Sequence, residues 1–188
     1  GGDELPEARR LLGNLRADAR FEALPDAFRS TTFSVAGYVE MRDGEPAAAR
    51  ALFLQATALP DIPADVWYWL SAVELDLELY DDAARSLARL VEGWPDLLDN
   101  IDDDHIRRVA SQTDASEAAR TELLQAIFDS GWQREPLGGA SHFHYELALI
   151  RARQGDLEAL RRIVPRVDDP GDIVRMLIDK RFDAAVDP

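Results

Sequence analysis

Three histidines, His105, His142 and His144, are the side chains of this 188-residue chain with an ordinary charge change near neutral pH, so acid/base or metal chemistry has to be built around them. His142 and Glu146 stand one helical turn apart and offer an imidazole and a carboxylate to one cation. His144, two positions from His142, projects about 200° away on a helix, which leaves two converging ligands where a metal site needs more. The acidic run Asp96, Asp99, Asp102, Asp103 and Asp104 lacks the glycine turn and the closing glutamate of a calcium loop, and is expected to form a solvated helix start. Phosphate-binding glycine loops, a nucleophile elbow and the H-E-x-x-H zinc pattern are all missing from the sequence. The expectation is a protein that is not an enzyme, with no cofactor and no metal. A helical-repeat enzyme using His142 and Glu146 is the remote alternative.

Bulk composition narrows the partners. Acidic residues number 36 against 21 basic ones, a net charge of −15, which repels nucleic-acid phosphates and anionic lipid alike. No apolar run approaches the ~18 residues of a spanning helix. Cysteine is absent, which removes disulfide and thiol chemistry without choosing a compartment. The start Gly1-Gly2-Asp3-Glu4 carries no targeting pattern, and Lys180 stands alone beside twenty arginines. A soluble protein of a GC-rich bacterium, in cytoplasm or periplasm, is the expectation, with neither nucleic acid nor membrane as partner.

The elements that must position any site repeat. Ala49, Phe53 and Ala56 recur one period of about 34 residues later as Ala83, Leu87 and Leu90, and Phe33, Ala36 and Gly37 recur at the same interval as Trp67, Leu70 and Ser71. Apolar residues at Val66, Leu70, Val73 and Leu77 fall on one helical stripe, and Trp67, Tyr68, Trp69, Leu75 and Leu79 make that segment apolar nearly all round, as in a helix held between neighbours. The register then loosens: Ala119, Leu123 and Ala126 follow their counterparts from Ala83 onward at a slightly longer interval, with Ile106 and Ala110 before them. Leu147, Ala148, Leu157, Leu160, Val164 and Val167 form a fourth pair after a Pro- and Gly-bearing insertion from Trp132 to Ala140. Boundary signals accompany the pattern. Pro63 suits a first turn, Gly93 and Gly131 suit C-terminal caps, and Asp114 with Glu117 three residues on suits a capping box.

A two-helix unit of about 34 residues resembles the tetratricopeptide repeat. Trp67-x2-Leu70-Ser71 is similar to that family's W-x2-L-G opening, Ala49-x3-Phe53 to its A-x3-F, and Ala83-x3-Leu87 to the same with Leu for Phe. The family's tyrosine one turn on is replaced by Glu40 and Glu74. Small residues are required where paired helices meet, with Gly37 expected to face Ala49 and Ser71 to face Ala83. The resemblance implies an all-α fold, a right-handed superhelix of about four antiparallel helix pairs over residues 30–61, 64–95, 100–131 and 141–168. Extra terminal helices are expected over 6–24 and 172–186, sharing a short pattern at 18–24 and 179–185 that suits capping pieces.

It also implies a scaffold that binds a peptide or partner protein on the concave surface lined by the first helix of each pair. Off the packing stripe, those helices carry Tyr38 and Arg42, Asp65, Tyr68 and Asp76, Arg108 and Gln112, and His142, Tyr145 and Arg153. Tyr and Arg are frequent interface anchors. One lysine and two asparagines leave too few groups for the clamp with which some members hold a chaperone's C-terminal carboxylate. Self-assembly into a homo-oligomer or larger protein is the alternative, and exposure of Trp94 or Trp132 would favour it.

Overall fold

The computed structural model describes residues 4–101, 103–132 and 139–177, which form α-helices and short 3-10 turns with no strand among them. The helices are α1 (Glu4–Ala17), α2 (Asp26–Arg42), α3 (Pro46–Thr57), α4 (Asp65–Asp76), α5 (Tyr80–Gly93), α6 (Asp103–Ala110), α7 (Glu117–Ser130), α8 (Gly139–Gln154), α9 (Leu157–Ile163) and α10 (171–177). Packing follows chain order. α2 packs on α3, α3 on α4, α4 on α5, α5 on α7, α7 on α8 and α8 on α9, while α1 lies on α2 and the short α6 touches α5 and α7.

Why the chain turns where it does is visible in its capping chemistry. α2, α4 and α8 each end in one hydrogen-bonded device, with the left-handed residue Gly44, Glu78 or Gly155 at its corner. The Gly44 N–H donates to the Met41 carbonyl and the Glu45 N–H to the Glu40 carbonyl; Glu78 and Leu79 repeat this onto Leu75 and Glu74, and Gly155 and Asp156 onto Ala152 and Arg151. That pairing satisfies carbonyls a helix end leaves orphaned and reverses the chain into the next helix. Gly44 and Glu78 stand one repeat apart in the sequence, so the sequence period is also a backbone period.

The core is divided in two. Phe21, Phe33, Phe53, Val66 and Leu70 are buried between α2, α3 and α4, and Leu87, Leu90, Ile106, Leu123, Ile127, Leu147 and Ile150 between α5 and α8; Trp67 packs against both. Gly37 leaves the space on α2 that Phe53 of α3 fills. A Cβ there would stand 2.7–3.0 Å from ring atoms of Phe53, a fully buried side chain with no room to retreat. The residue opposite Gly37 is thus Phe53, where the pattern pointed to Ala49, and Ser71 directs its hydroxyl to His105.

The replaced tyrosines have a structural use. Glu40 accepts from Arg9 Nε at 3.0 Å and Nη2 at 2.6 Å, and Glu74 accepts from Arg50 Nε at 3.1 Å, so each takes an arginine from the preceding helix. Those arginines reach a second carboxylate, Asp43 and Asp82 respectively. Glu74 is buried, with Ser86 Oγ donating to its other oxygen at 2.6 Å.

Several boundaries differ from the sequence pattern. The N-terminal segment is a helix to Ala17 and a separate 3-10 turn, Phe21–Ala23, in place of one helix over 6–24. Of the helix expected over 172–186, residues 171–177 are helical and the rest, with the pattern at 179–185, lies outside the described residues. The cap of α7 is Ser116, whose Oγ accepts from the Ala119 N–H, where Asp114 and Glu117 suggested a capping box. Gly131 does adopt the left-handed cap (φ 73), but α5 runs through Gly93 and stops at Trp94. Pro63 precedes α4 by two residues and accepts from the Val66 N–H. The insertion expected over 132–140 falls mostly on residues 133–138, outside the described ones, and Gly139 and Ala140 already belong to α8.

Candidate functional site

The first helices α2, α4 and α6 are joined by a row of rings. Tyr38 of α2 meets Trp69 of α4 edge to face (centroids 5.3 Å apart); Trp69 meets Tyr68 at 4.8 Å; and Tyr68 meets His105 of α6 at 4.9 Å. Each contact is tilted by 65–71°, the edge-to-face arrangement that ring quadrupoles favour. Ser71 Oγ lies 3.1 Å from His105 Nε2 and ties α6 to α4 beneath the rings. At the α2 end, Arg42 Nη1 donates to the Tyr38 hydroxyl at 3.1 Å, with the guanidinium 5.9 Å from the ring centroid.

Tyr38, Tyr68 and Trp69 are half-buried and His105 is buried, so the row meets solvent at its α2 and α4 members. Phe28, Thr31, Val35, Tyr38 and Arg42 follow one helical stripe of α2, and Phe28 and Val35 stay 48% and 46% exposed. Helical spacing places Asp65 and Asp76 on the same side of α4 as Tyr68 and Trp69, one before the rings and one after. Both carboxylates are exposed, and neither forms an ion pair among the described residues. Arg108 is exposed on α6, beyond His105.

Of the ten residues proposed from sequence, the structure joins Tyr38 and Arg42 by direct contact and links Tyr68 to them through Trp69, with Asp65 and Asp76 on the same side of α4. Gln112 lies past the end of α6, its N–H donating to the Val109 carbonyl, in a turn where the repeat pattern expected a helix. The α8 residues belong to another neighbourhood. The Tyr145 hydroxyl donates to Asp172 Oδ2 at 3.2 Å, and burial, followed by that carboxylate, pushes the phenol upward. Arg153 pairs with Glu117 of α7 at 3.3 Å, and exposed His142 lies beside the Phe143 ring.

Of the His142 and Glu146 pair, Glu146 is engaged by α7: its Oε2 accepts from Arg120 Nη2 at 3.2 Å. Among the described residues, no three His, Asp or Glu side chains group as metal ligands do. Nor does any described helix have the length and apolarity to cross a membrane.

No family model, curated protein or solved structure matches the chain.

Sequence reasoning missed Trp69 and His105 as members of the row. Trp69 looks like packing because α4 is apolar on nearly every side, and His105 is isolated in sequence from every ring it touches. A usable signal exists. Val35 and Trp69 stand one repeat apart, so the register that aligns the core also aligns these two surface positions.

Proposed function

We propose that this protein is an interaction scaffold of stacked, tetratricopeptide-like helix pairs that binds an extended segment of another polypeptide on the face formed by α2, α4 and α6. The observation that carries the reading is the ring row from Tyr38 through Trp69 and Tyr68 to His105, running across three consecutive first helices and bordered by exposed Phe28 and Val35. Large rings on rigid helices lose little freedom on binding, and contiguous apolar surface is uncommon where nothing binds. The stack is supported by packing between helices at most two apart in order, by the turn repeated at Gly44, Glu78 and Gly155, and by the arginine links to Glu40 and Glu74.

The assembly alternative gains no support from its tryptophans. Trp94 and Trp132 are half-buried against the core, Trp132 stacking on Phe143 with centroids 6.0 Å apart. Panning a random peptide library on the immobilised protein tests peptide capture. Selected peptides should bind the parent and lose about tenfold or more in affinity to Val35→Asp and Trp69→Ala, a central anchor being worth ~2 kcal/mol. They should keep their affinity for Leu54→Asp, which alters an exposed apolar residue of α3. Peptides that bind all variants alike, or no selected peptide at all, would refute the assignment.

A further inference from the structure

We infer that the segment captured on this face is basic, presenting arginine or lysine side chains to the rings of α4 between Asp65 and Asp76; the inference rests on the peptide-capture reading above. Three observations lead there.

The first is how the protein treats its own cation at the row. Arg9, Arg29, Arg50, Arg85, Arg120 and Arg162 all pair with carboxylates. Arg42 instead rests on Tyr38, its guanidinium against the ring and its Nη1 on the hydroxyl, with no carboxylate partner among the described residues. The row thus already holds a cation beside its first ring, and tryptophan attracts cations more strongly than tyrosine does. Trp69 is the next ring along the row, and it stays partly open to solvent.

The second is the placement of Asp65 and Asp76, two carboxylates with no ion-pair partner among the described residues. Asp65 and Asp76 stand at the two ends of α4, ~16 Å apart along the helix axis, with Tyr68 and Trp69 between them. An extended chain covers that distance in about five residues. A partner with two basic side chains about that far apart meets both carboxylates at once while its intervening residues cover the rings. The third is the whole-molecule field: a net charge of −15 draws cationic segments to the protein and repels acidic ones. Arg42 beside Tyr38 and exposed Arg108 on α6 place positive charge on the neighbouring helices, which leaves the attraction at α4.

The test uses three fluorescein-labelled synthetic peptides with the same apolar residues and two variable positions about five residues apart, filled with arginine, glutamine or glutamate. Fluorescence anisotropy with the full chain should give the arginine peptide at least about tenfold tighter binding than the glutamate one, and the margin should narrow as salt is raised. Asp65→Asn with Asp76→Asn should reduce the arginine peptide's affinity about tenfold and leave the glutamine peptide's unchanged. Trp69→Leu should weaken the arginine peptide beyond the loss seen with glutamine. Circular dichroism of each variant establishes that it is folded. Equal affinity for all three peptides, abolished by Val35→Asp, would overturn the basic preference while leaving peptide capture in place. Arginine binding insensitive to the double asparagine variant would overturn it too. If the library experiment yields no peptide and none of these three binds, both readings fail together.

Discussion

A buried histidine and a buried glutamate set opposite demands on pH. His144 is 3% exposed, with Nδ1 3.4 Å from the Arg166 carbonyl oxygen and Nε2 without a partner among the described residues. Its ring meets Phe128 at 5.2 Å, and the Arg166 and Arg162 guanidinium groups lie 4.4 and 5.9 Å from that same Phe128 ring. Burial lowers its pKa first, Arg166's positive charge adds to the lowering, and the bond to the Arg166 carbonyl opposes it. A lowered histidine is neutral in the folded state while the unfolded chain binds a proton below pH 6.5, so stability falls as pH drops from there through the folded value. Glu74 runs the other way. Burial raises its carboxyl against the pull of Ser86 and Arg50, so its contribution is present below the ordinary glutamate range and lost as pH rises through the folded value. His144→Gln keeps a donor for the carbonyl and removes the titration. Urea denaturation across pH 7 to about 5 should show the parent losing stability relative to this variant, and a constant difference would contradict the assignment.

At the scale of the element, the repeated turn contains its own flaw. Gly44 and Gly155 hold positive φ without cost, whereas Glu78 holds φ 60 with a full side chain. A left-handed non-glycine residue costs roughly 1–2 kcal/mol, of which glycine's extra freedom in the unfolded chain returns part. Glu78→Gly should therefore stabilise the protein by about 0.5–1 kcal/mol and raise the thermal midpoint a few degrees, while Gly44→Ala should lower it. A destabilised Glu78→Gly would mean that the exposed glutamate does something the hydrogen bonds of the turn do not show. This position was legible in the sequence, because the repeat period maps Gly44 onto Glu78. So was the helical content, from stripes such as Val66, Leu70 and Val73, all of which are buried. The cap of α7 was not. Asp81 of α5 accepts from the Ser116 N–H at 2.6 Å and its hydroxyl at 2.7 Å, a tertiary contact that holds Ser116 at the cap in place of Asp114. These donors, the backbone N–H first, also lower the Asp81 carboxyl. The ring row escaped for the same reason, since Tyr38 meets Trp69, and Tyr68 meets His105, only once neighbouring helices have set their spacing. Local pattern gives the face on which a side chain emerges, and packing decides what it touches.

For the molecule as a whole, the decisive feature is that packing stays near in chain order. A closed bundle returns its last helices to its first and shares one core. Here α1 lies on α2, α9 lies on α8, and the buried residues fall into two clusters bridged at Trp67. Each helix pair buries its flank against the next, which is the packing that the superhelical stack proposed above requires. The stack is what lets one row of rings cross several units, and it makes the ligand-binding proposal depend on shape. A compact chain of this length has a radius of gyration of about 16 Å. Small-angle X-ray scattering of the monomer should give a larger value, and a pair-distance distribution with an asymmetric tail. A symmetric distribution at the compact value would mean that the helices close on themselves. The face of α2, α4 and α6 could then not lie open, and an extended peptide would have no room along α4 between its neighbours. Adding the arginine peptide should leave the radius nearly unchanged, because rings locked edge to face across three helices present a surface formed before the ligand arrives.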